Sequence, residues 1–258
     1  MSQTRFKNGF WGDEKGGYPP PSSINYPNEY NGESKACIAC TQLLIPRAQQ
    51  KRITNQWIEL LPRLQKIEML WFPTRVPQML FDSACKHENL SGLKITWSSI
   101  KSLDSIKNLS KLKYLYIGSS AGIESIEPLT NLENLEVLFI ENFKKISDFS
   151  SLKSLSKLKV LSIEGGMYTM QKVHSLEFIS NLSSLEYLSI VMVSCPDKRI
   201  EPILKLKNLV TLNWCLNYTS KDKQRLIDEL PNLKNLPDRY DEHNRKMLEK
   251  LIEEHSED

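Results

Sequence analysis

One leucine-rich pattern returns along most of the chain and restricts the folds that it can adopt. The pattern is L-x-x-L-x-(I/W), and its clear copies begin 22 to 27 residues apart, at positions 90, 112, 135, 158, 185 and 209. Weaker copies at the two ends are Ile67-Leu70-Phe72, Cys40-Leu43-Ile45 and a truncated Leu233-Leu236. A period of this length predicts a repeat architecture rather than independent globular domains.

Between these runs, apolar residues recur at every third position. The clearest segments are Ile100-Leu103-Ile106-Leu109, Ile123-Ile126-Leu129-Leu132, Ile146-Phe149-Leu152-Leu155 and Val173-Leu176-Ile179-Leu182. A step of three predicts short 3₁₀ turns with one side facing inward. Each unit therefore combines a strand, a loop and a return segment, and it cannot bury its apolar side alone. Because stacked units share one core, we predict an α/β solenoid with seven to nine parallel strands in one concave sheet.

In these copies the chain resembles the leucine-rich-repeat family, and its 22-residue unit is similar to the bacterial internalin-type subclass. The resemblance covers residues 67–236 and implies a right-handed solenoid with a concave parallel sheet and helical caps. Family members usually place an asparagine three residues after the end of the strand pattern, where it binds loop backbone. Here those positions hold Ser98, Ser120, Phe143, Gly166, Val193 and Asn217. Since Phe143 and Val193 lack polar side chains, their loops are predicted to be less regular.

The chain outside the repeats is predicted to cap the array. The predicted regions are an irregular N-terminal segment at 1–35, an N-terminal cap with a helix at 36–66, the leucine-rich-repeat array at 67–236 and a C-terminal capping helix at 237–258. The cap helix is placed at 52–65 because Trp57 and Leu61 recur there at helical spacing. Near the end of the array, Thr219 is a predicted N-cap of a helix that reaches Leu230.

Charge and cysteine content limit the classes of partner and compartment. A net charge of +3 is too small to indicate binding to nucleic acid or to an acidic membrane surface. No apolar stretch has the length of an export signal or a membrane span. The five cysteines include one close pair, Cys37 and Cys40, which is a poor disulfide framework. We therefore predict a cytoplasmic protein that binds neither nucleic acid nor membrane and that is monomeric without its partner.

Two motifs raise the question of catalysis. Residues 118–122 match G-x-S-x-G, the nucleophile elbow of serine hydrolases, with Ser120 as nucleophile and with Asp148 and His174 downstream. That elbow must open a helix under a large sheet, whereas this loop occupies an ordinary repeat position. Cys37 and Cys40 form a lone C-x-x-C without the two further ligands that zinc requires. We predict no catalytic residue, no cofactor and no metal, and the serine and cysteine routes are the enzymatic alternatives.

The side chains that alternate with the buried leucines point to the opposite face of each strand. On the predicted concave surface they would form a continuous apolar and aromatic patch beside acidic residues. The predicted partner-binding residues are Met69, Trp71, Trp97, Tyr114, Tyr116, Val137, Phe139, Glu141, Glu164 and Tyr187. Large exposed apolar patches usually mark binding sites, and Tyr and Trp are favoured at hot spots. Two alternatives are that strand propensity alone explains the aromatic residues and that residues 1–35 cover them.

These features predict a non-enzymatic interaction module that binds a protein partner on its concave face. Glu141 and Glu164 would favour partners with basic surfaces. A longer loop, residues 165–171, would add contacts at one edge of the same surface. Two other binding functions stay open. One is a cytosolic inhibitor or immunity-type protein that neutralises a toxin or enzyme, and the other is a recognition module for a larger assembly that uses the basic segment 41–66.

Overall fold

The computed structural model describes residues 21–214 and 219–236, and nine of its strands form one parallel sheet. In chain order the strands are β1 (Ser23–Ile24), β2 (Lys35–Ile38), β3 (Met69–Phe72), β4 (Gly92–Ile95), β5 (Tyr114–Ile117), β6 (Val137–Glu141), β7 (Val160–Glu164), β8 (Gln171–Lys172), β9 (Tyr187–Val191), β10 (Val193–Ser194) and β11 (Thr211–Trp214). The order in the large sheet is β1-β2-β3-β4-β5-β6-β7-β9-β11, and β8 pairs separately with β10. The prediction of one parallel sheet of seven to nine strands is confirmed.

The repeat copies are stacked in register. The second leucine of each copy is the direct Cα partner of the next, in the order Leu70, Leu93, Leu115, Leu138, Leu161, Leu188 and Leu212. All of these side chains are fully buried in one continuous apolar core. A slip by one residue would turn the leucines of a strand to the other face, so burial of this row fixes the register.

The return segments are short helices. The α-helices are α1 (Arg47–Leu60), α2 (Gln78–Ala84), α3 (Glu201–Leu204) and α4 (Ser220–Glu229), and the 3₁₀ helices are Pro27–Glu29, Leu61–Arg63, Asp104–Asn108, Glu127–Asn131, Ser150–Ser154 and Glu177–Asn181. The last four 3₁₀ helices lie in the segments with apolar residues at every third position, which confirms that prediction. Within the described ranges, every helix is too short or too polar to cross a membrane.

The first strand of the array lies earlier in the chain than the sequence predicts. Strand β2 pairs with β3 and thereby takes the place of a repeat strand, so the predicted copy at Cys40-Leu43-Ile45 is wrong. The prediction failed because β2 buries Ala36 in register with Leu70, where the other strands bury leucine. An alanine at such a position does not register as part of a leucine pattern.

Part of the N-terminal segment is also more regular than predicted. Strand β1 pairs with β2 and extends the sheet by one strand. The Nε1 of Trp57 donates to the carbonyl of Asn25 at 2.9 Å, which ties this segment to α1. The described part of the segment therefore continues the solenoid at its N-terminal end, and residues 1–20 lie outside the described residues.

The two caps are helical, with different limits from those predicted. Helix α1 begins at Arg47 rather than at residue 52 and continues into a 3₁₀ turn. At the other end, the predicted N-cap Thr219 is confirmed. Its hydroxyl accepts a hydrogen bond from the Asp222 backbone N–H at 3.1 Å, and the Asp222 carboxylate accepts from the Thr219 N–H at 2.9 Å. The predicted helix at 237–258 lies outside the described residues.

Asparagine and lysine side chains join neighbouring units along the edge where the strands begin, which we call the strand-start edge. Asn89 Nδ2 donates to the carbonyl of Gln65 at 3.1 Å, and Asn89 Oδ1 accepts from Lys111 Nζ at 2.8 Å. Asn134 likewise donates to a carbonyl of the preceding unit at 2.9 Å and accepts from Lys157 Nζ at 2.8 Å. Each bond joins adjacent units, as expected of a solenoid stabilised by nearest-neighbour contacts.

Candidate functional site

We call the side of the nine-stranded sheet that faces away from the main core the outer sheet face. It carries the residues that the sequence analysis placed on the concave surface. Its first row consists of the residue directly before the second leucine of each copy. These residues are Met69, Gly92, Tyr114, Val137, Val160, Tyr187 and Thr211. Val137 and Val160 are buried and Tyr187 is 7% exposed, and Tyr114 and Phe139 pack against these three. The prediction that Val137 and Tyr187 belong to an exposed patch is therefore wrong. In-register neighbours in a parallel sheet lie about 4.8 Å apart, so large side chains bury one another.

The second row of this face lies two residues further along each strand and includes Trp71, Lys94, Tyr116 and Phe139. Its lysine lies between two of the aromatic rings. Lys94 Nζ lies 4.8 Å from the ring centroid of Trp71 and 5.1 Å from that of Tyr116. The Tyr116 ring stacks on Phe139 with centroids 5.7 Å apart and an interplanar angle of 27°. Trp71 Nε1 also donates to Thr96 Oγ1 at 3.0 Å. These side chains are only partly buried, and their mutual contacts fix their orientations.

The acidic pair occupies the carboxyl ends of β6 and β7. Glu141 and Glu164 are Cα partners in the sheet, and both are partly buried. The Tyr116 hydroxyl donates to Glu141 Oε2 at 3.4 Å. Ser162 and Ser189 donate to Glu164 Oε1 at 2.6 Å and 3.3 Å. In the described part of the chain, neither carboxylate forms a salt bridge with a lysine or arginine.

Burial dominates the electrostatics of this pair. It raises the pKa of Glu141, and the nearby charge of Glu164 adds to the effect, while hydrogen bonds from the Ser119 backbone and the Tyr116 hydroxyl oppose it. Burial likewise raises the pKa of Tyr116 well above its usual value, and both carboxylates contribute. Two like charges directly opposite each other on neighbouring strands are unfavourable. A cation brought by a partner would relieve this repulsion.

We expect Glu141→Gln to raise the melting temperature at neutral pH. Because the folded state raises the pKa of Glu141, the wild-type protein loses stability as the pH rises through the ordinary range for a glutamate towards the folded value. Glutamine keeps an acceptor oxygen and avoids this loss. The difference between the two melting temperatures should be near zero at about pH 3 and largest at neutral pH.

Glu124→Gln is the control for that titration, because Lys145 lowers the pKa of the Glu124 carboxyl. Replacing Glu124 should not raise the melting temperature at neutral pH. Thermal melts of the three proteins between pH 3 and pH 7.5 check both statements. An increase for Glu141→Gln that is equally large at the acid end would contradict the electrostatic explanation.

The remaining predicted residues lie at the margins of this face. Met69 is partly buried in the first row, where Gly92 separates it from Tyr114. Trp97 follows β4 in the loop at the carboxyl end, with the Arg75 guanidinium carbon 5.9 Å from the centroid of its ring. The structure therefore brings Trp71, Tyr116, Phe139, Glu141 and Glu164 into one region and leaves Met69 and Trp97 at its border. That region is the candidate site.

One polar residue that the sequence analysis missed organises the edge of the site. Gln171 is 2% exposed, and its Oε1 accepts from the Phe143 N–H at 2.8 Å. Its Nε2 donates to the carbonyls of Ile146 at 2.6 Å, Lys172 at 2.9 Å and Phe143 at 3.3 Å. Gln171 thus bonds the loop backbone where the Phe143 side chain cannot. Its only sequence signal is a polar residue in the longest repeat unit. The residues directly before Phe143 and Val193, Asn142 and Met192, have left-handed φ angles of 56° and 53°, in agreement with the prediction that these two loops are less regular.

Ser120 has a structural environment. The side chain is fully buried, and its hydroxyl donates to the Gly118 carbonyl at 2.5 Å and lies 2.6 Å from the Ser98 hydroxyl. Asp148 and His174 are both exposed, and neither hydrogen-bonds to it. A serine nucleophile needs a base within hydrogen-bond reach and access to substrate. The geometry assigns Ser120 to loop stabilisation, at the position where the resemblance implies asparagine.

The two close cysteines are buried free thiols. Burial raises the pKa of Cys37, and it raises the pKa of Cys40 to about 12. A thiol with so high a pKa stays protonated at neutral pH, whereas the thiolate is the nucleophile and the metal ligand. Among residues 21–214 and 219–236, no group of three His, Cys, Asp or Glu side chains could hold a metal ion.

Solved structures that are similar to this chain include proteins of two bacteria. Internalin C2 of Listeria monocytogenes is 22% identical with a TM-score of 0.54, over 70% of this chain and 80% of that one. Internalin F of the same species is 21% identical with a TM-score of 0.50, over 78% and 64%. A Leptospira interrogans leucine-rich-repeat protein is 15% identical with a TM-score of 0.58, over 84% and 58%. Searches of family models and of curated protein sequences gave no match.

The chain has the leucine-rich-repeat fold. The TM-scores of 0.54 and 0.58 to internalin C2 and to the Leptospira protein confirm the predicted resemblance at the level of the fold. Leucine-rich repeats stack their strands along a horseshoe, and curved repeat arrays commonly bind partners on the concave surface. The outer sheet face of this leucine-rich-repeat array is therefore the candidate binding surface.

Proposed function

We propose that this chain is a non-enzymatic interaction protein that binds a protein partner on the outer sheet face. The observation that carries the proposal is the row of stacked, partly buried aromatic side chains beside an acidic pair without a cation among its described neighbours. Aromatic residues in fixed orientations supply large contact areas at low entropic cost, which is typical of hot spots. The binding of nucleic acid or membrane is not part of this proposal, and the free protein is taken to be monomeric.

The charges of the site favour a partner with a basic side chain at its centre. Such a group could pair with Glu141 and Glu164 while it packs against the Phe139 ring. Both carboxylates are already partly desolvated, so the partner pays less of the usual cost of forming a buried ion pair. Complementary charge of this kind increases association rate and selectivity more than it increases affinity.

Within the binding class, a cytosolic inhibitor or immunity-type protein is the second candidate. The buried position of Ser120 and the high pKa of the Cys40 thiol weaken the enzymatic alternatives. The identity of the partner separates the two binding functions. A toxin or an enzyme whose activity falls on complex formation would indicate an inhibitor, and any other protein would indicate an interaction module.

We expect Tyr116→Ala and Phe139→Ala to weaken partner binding by roughly thirtyfold each, equivalent to about 2 kcal/mol. The partner would first be captured from cells of the source organism on the immobilised wild-type chain and identified by mass spectrometry. Isothermal titration calorimetry then gives the affinity of the purified partner for each variant. Because both side chains are partly buried, some loss of stability is also expected, about 1 kcal/mol.

Met79→Ala is the control, since Met79 is 65% exposed on α2, away from the outer sheet face. It should leave affinity unchanged. All variants would be compared at a temperature where circular dichroism shows each to be folded. If both folded variants bind as tightly as the wild type, the outer sheet face is not the binding site.

A further inference from the structure

The loop at residues 165–171 and the neighbouring Met192 together expose an unusual amount of apolar surface. Tyr168 is 89% exposed, Met167 80%, Met170 55% and Met192 40%. These four are the majority of the seven large apolar side chains that are exposed in the described part of the chain, and the other three are scattered singly. Isolated exposed apolar residues need no explanation, but a contiguous group usually marks an interaction site. Methionine and tyrosine are both enriched in interface cores.

The loop is held in one conformation, so this surface is organised before any partner arrives. Four hydrogen bonds anchor Gln171 at its end, and β8 pairs with β10. The Thr169 N–H donates to the Gly166 carbonyl at 3.2 Å, and the Thr169 hydroxyl donates to Asn142 Oδ1 at 3.1 Å. A Cβ on Gly165 would lie 2.3 Å from the Met192 carbonyl oxygen, so only glycine fits there. A rigid loop loses little conformational entropy on binding.

The backbone conformation of Met192 also indicates a function for this exposed surface. It has a φ of 53°, in the left-handed region that a bulky side chain seldom adopts. Asn142, at the corresponding position after β6, has a φ of 56°, and asparagine tolerates this conformation much better. A strained backbone at a non-glycine residue costs on the order of 1 kcal/mol or more. Strain of this kind is common at functional sites, which indicates a role for the exposed methionine side chain.

We propose that the 165–171 loop, with Met192, is an apolar anchor that enters an apolar pocket of the same protein partner that binds the outer sheet face. The inference rests on the proposed function of that face. The loop follows Glu164 directly, so the anchor and the acidic pair form one continuous surface. Glu141 and Glu164 at its base would repel an anionic bilayer, which favours a protein as the occupant over a membrane.

Site-specific photo-crosslinking tests the shared interface even while the partner is unidentified. The photoreactive residue p-benzoylphenylalanine replaces Tyr168 in one full-length variant, Phe139 in a second and the exposed Met79 in a third. Each variant is irradiated in cells of the source organism, and the adducts are identified by mass spectrometry. We expect the Tyr168 and Phe139 variants to form adducts with the same polypeptide and the Met79 variant to form none with it.

The outcomes separate the two proposals. An adduct at Phe139 alone overturns the anchor and leaves the outer sheet face as the binding site. An adduct at Tyr168 alone overturns the outer-face site and the shared interface. A Tyr168 adduct with lipid or with a second copy of this chain also overturns the anchor as proposed, because the occupant is then not the partner protein.

Affinity measurements on the purified crosslinked partner complete the test. The double variant Met167→Ser/Tyr168→Ser should bind at least about tenfold more weakly than the wild type. Its melting temperature should stay unchanged, since both side chains project into solvent. Met79→Ser is the matched control and should keep full affinity. An affinity of the double variant within twofold of the wild type would overturn the anchor even if both crosslinks are found.

Discussion

Leu138→Ala and Leu161→Ala are each expected to lower the free energy of unfolding by about 2–5 kcal/mol. Both side chains are fully buried, and they are direct partners on adjacent strands at the centre of the sheet. Truncation removes apolar contacts and leaves a cavity that flanking repeats on both sides prevent from closing. Urea denaturation followed by circular dichroism measures the loss.

Lys153→Ala is the control for these leucines, because Lys153 is exposed in a 3₁₀ helix of the same region. Its replacement should change stability by less than about 0.5 kcal/mol. Losses below that value at both leucines would mean that the register is wrong, since a slip by one residue exchanges the buried and exposed faces. The same register determines which residues lie on the outer sheet face.

Gln171→Ala is expected to be nearly as damaging, with a loss of about 2–4 kcal/mol. The substitution removes four hydrogen bonds and leaves the Phe143 N–H and the Ile146 carbonyl buried without a side-chain partner. An orphaned buried backbone group costs more than the net value of an ordinary hydrogen bond. The exposed neighbour Lys172 lies on the same strand, β8, and Lys172→Ala is the matched control.

Urea denaturation again gives the free energies of unfolding. A loss at Gln171 no larger than that of Lys172→Ala would show that water or a shifted loop satisfies these groups. Proteolysis adds a local measurement, because the 165–171 loop should be cut faster in Gln171→Ala than in the wild type. Equal cleavage rates would contradict the role of Gln171 in holding the loop.

The sequence predicts most of the fold because one apolar periodicity specifies both strands and return segments. It missed β2, because the buried Ala36 stands where the other strands bury leucine. It also missed Gln171, since three of the four backbone groups that this side chain bonds lie 25 or 28 residues earlier in the chain. A repeat pattern with constant spacing does not predict hydrogen bonds between units of different lengths.

The sequence predicted on which face of the sheet the side chains of the candidate site lie, but it did not predict how far each of them is exposed. Alternation along a strand correctly placed Tyr116 and Phe139 on the face opposite the core. The same reasoning treated Val137 and Tyr187 as exposed, although lateral packing between neighbouring strands buries them. Burial on this face depends on which residues stand side by side in the sheet, and that information requires the register of several strands at once.

The strand-start edge has a consequence for how the array can change in length. From residue 89 to residue 157 asparagine and lysine alternate there, with Lys111 bonded to Asn89 and Lys157 bonded to Asn134. Ser184, Asn208 and Asn232 follow at the equivalent positions, so the alternation is confined to the central part of the array. The repeating module of this central part is therefore a pair of units. Inserting one extra unit there would set two asparagines or two lysines side by side, and an oxygen would lose its ammonium donor or two ammonium groups would repel each other. Inserting a pair would keep the alternation intact, so the central part should tolerate duplication by twos best.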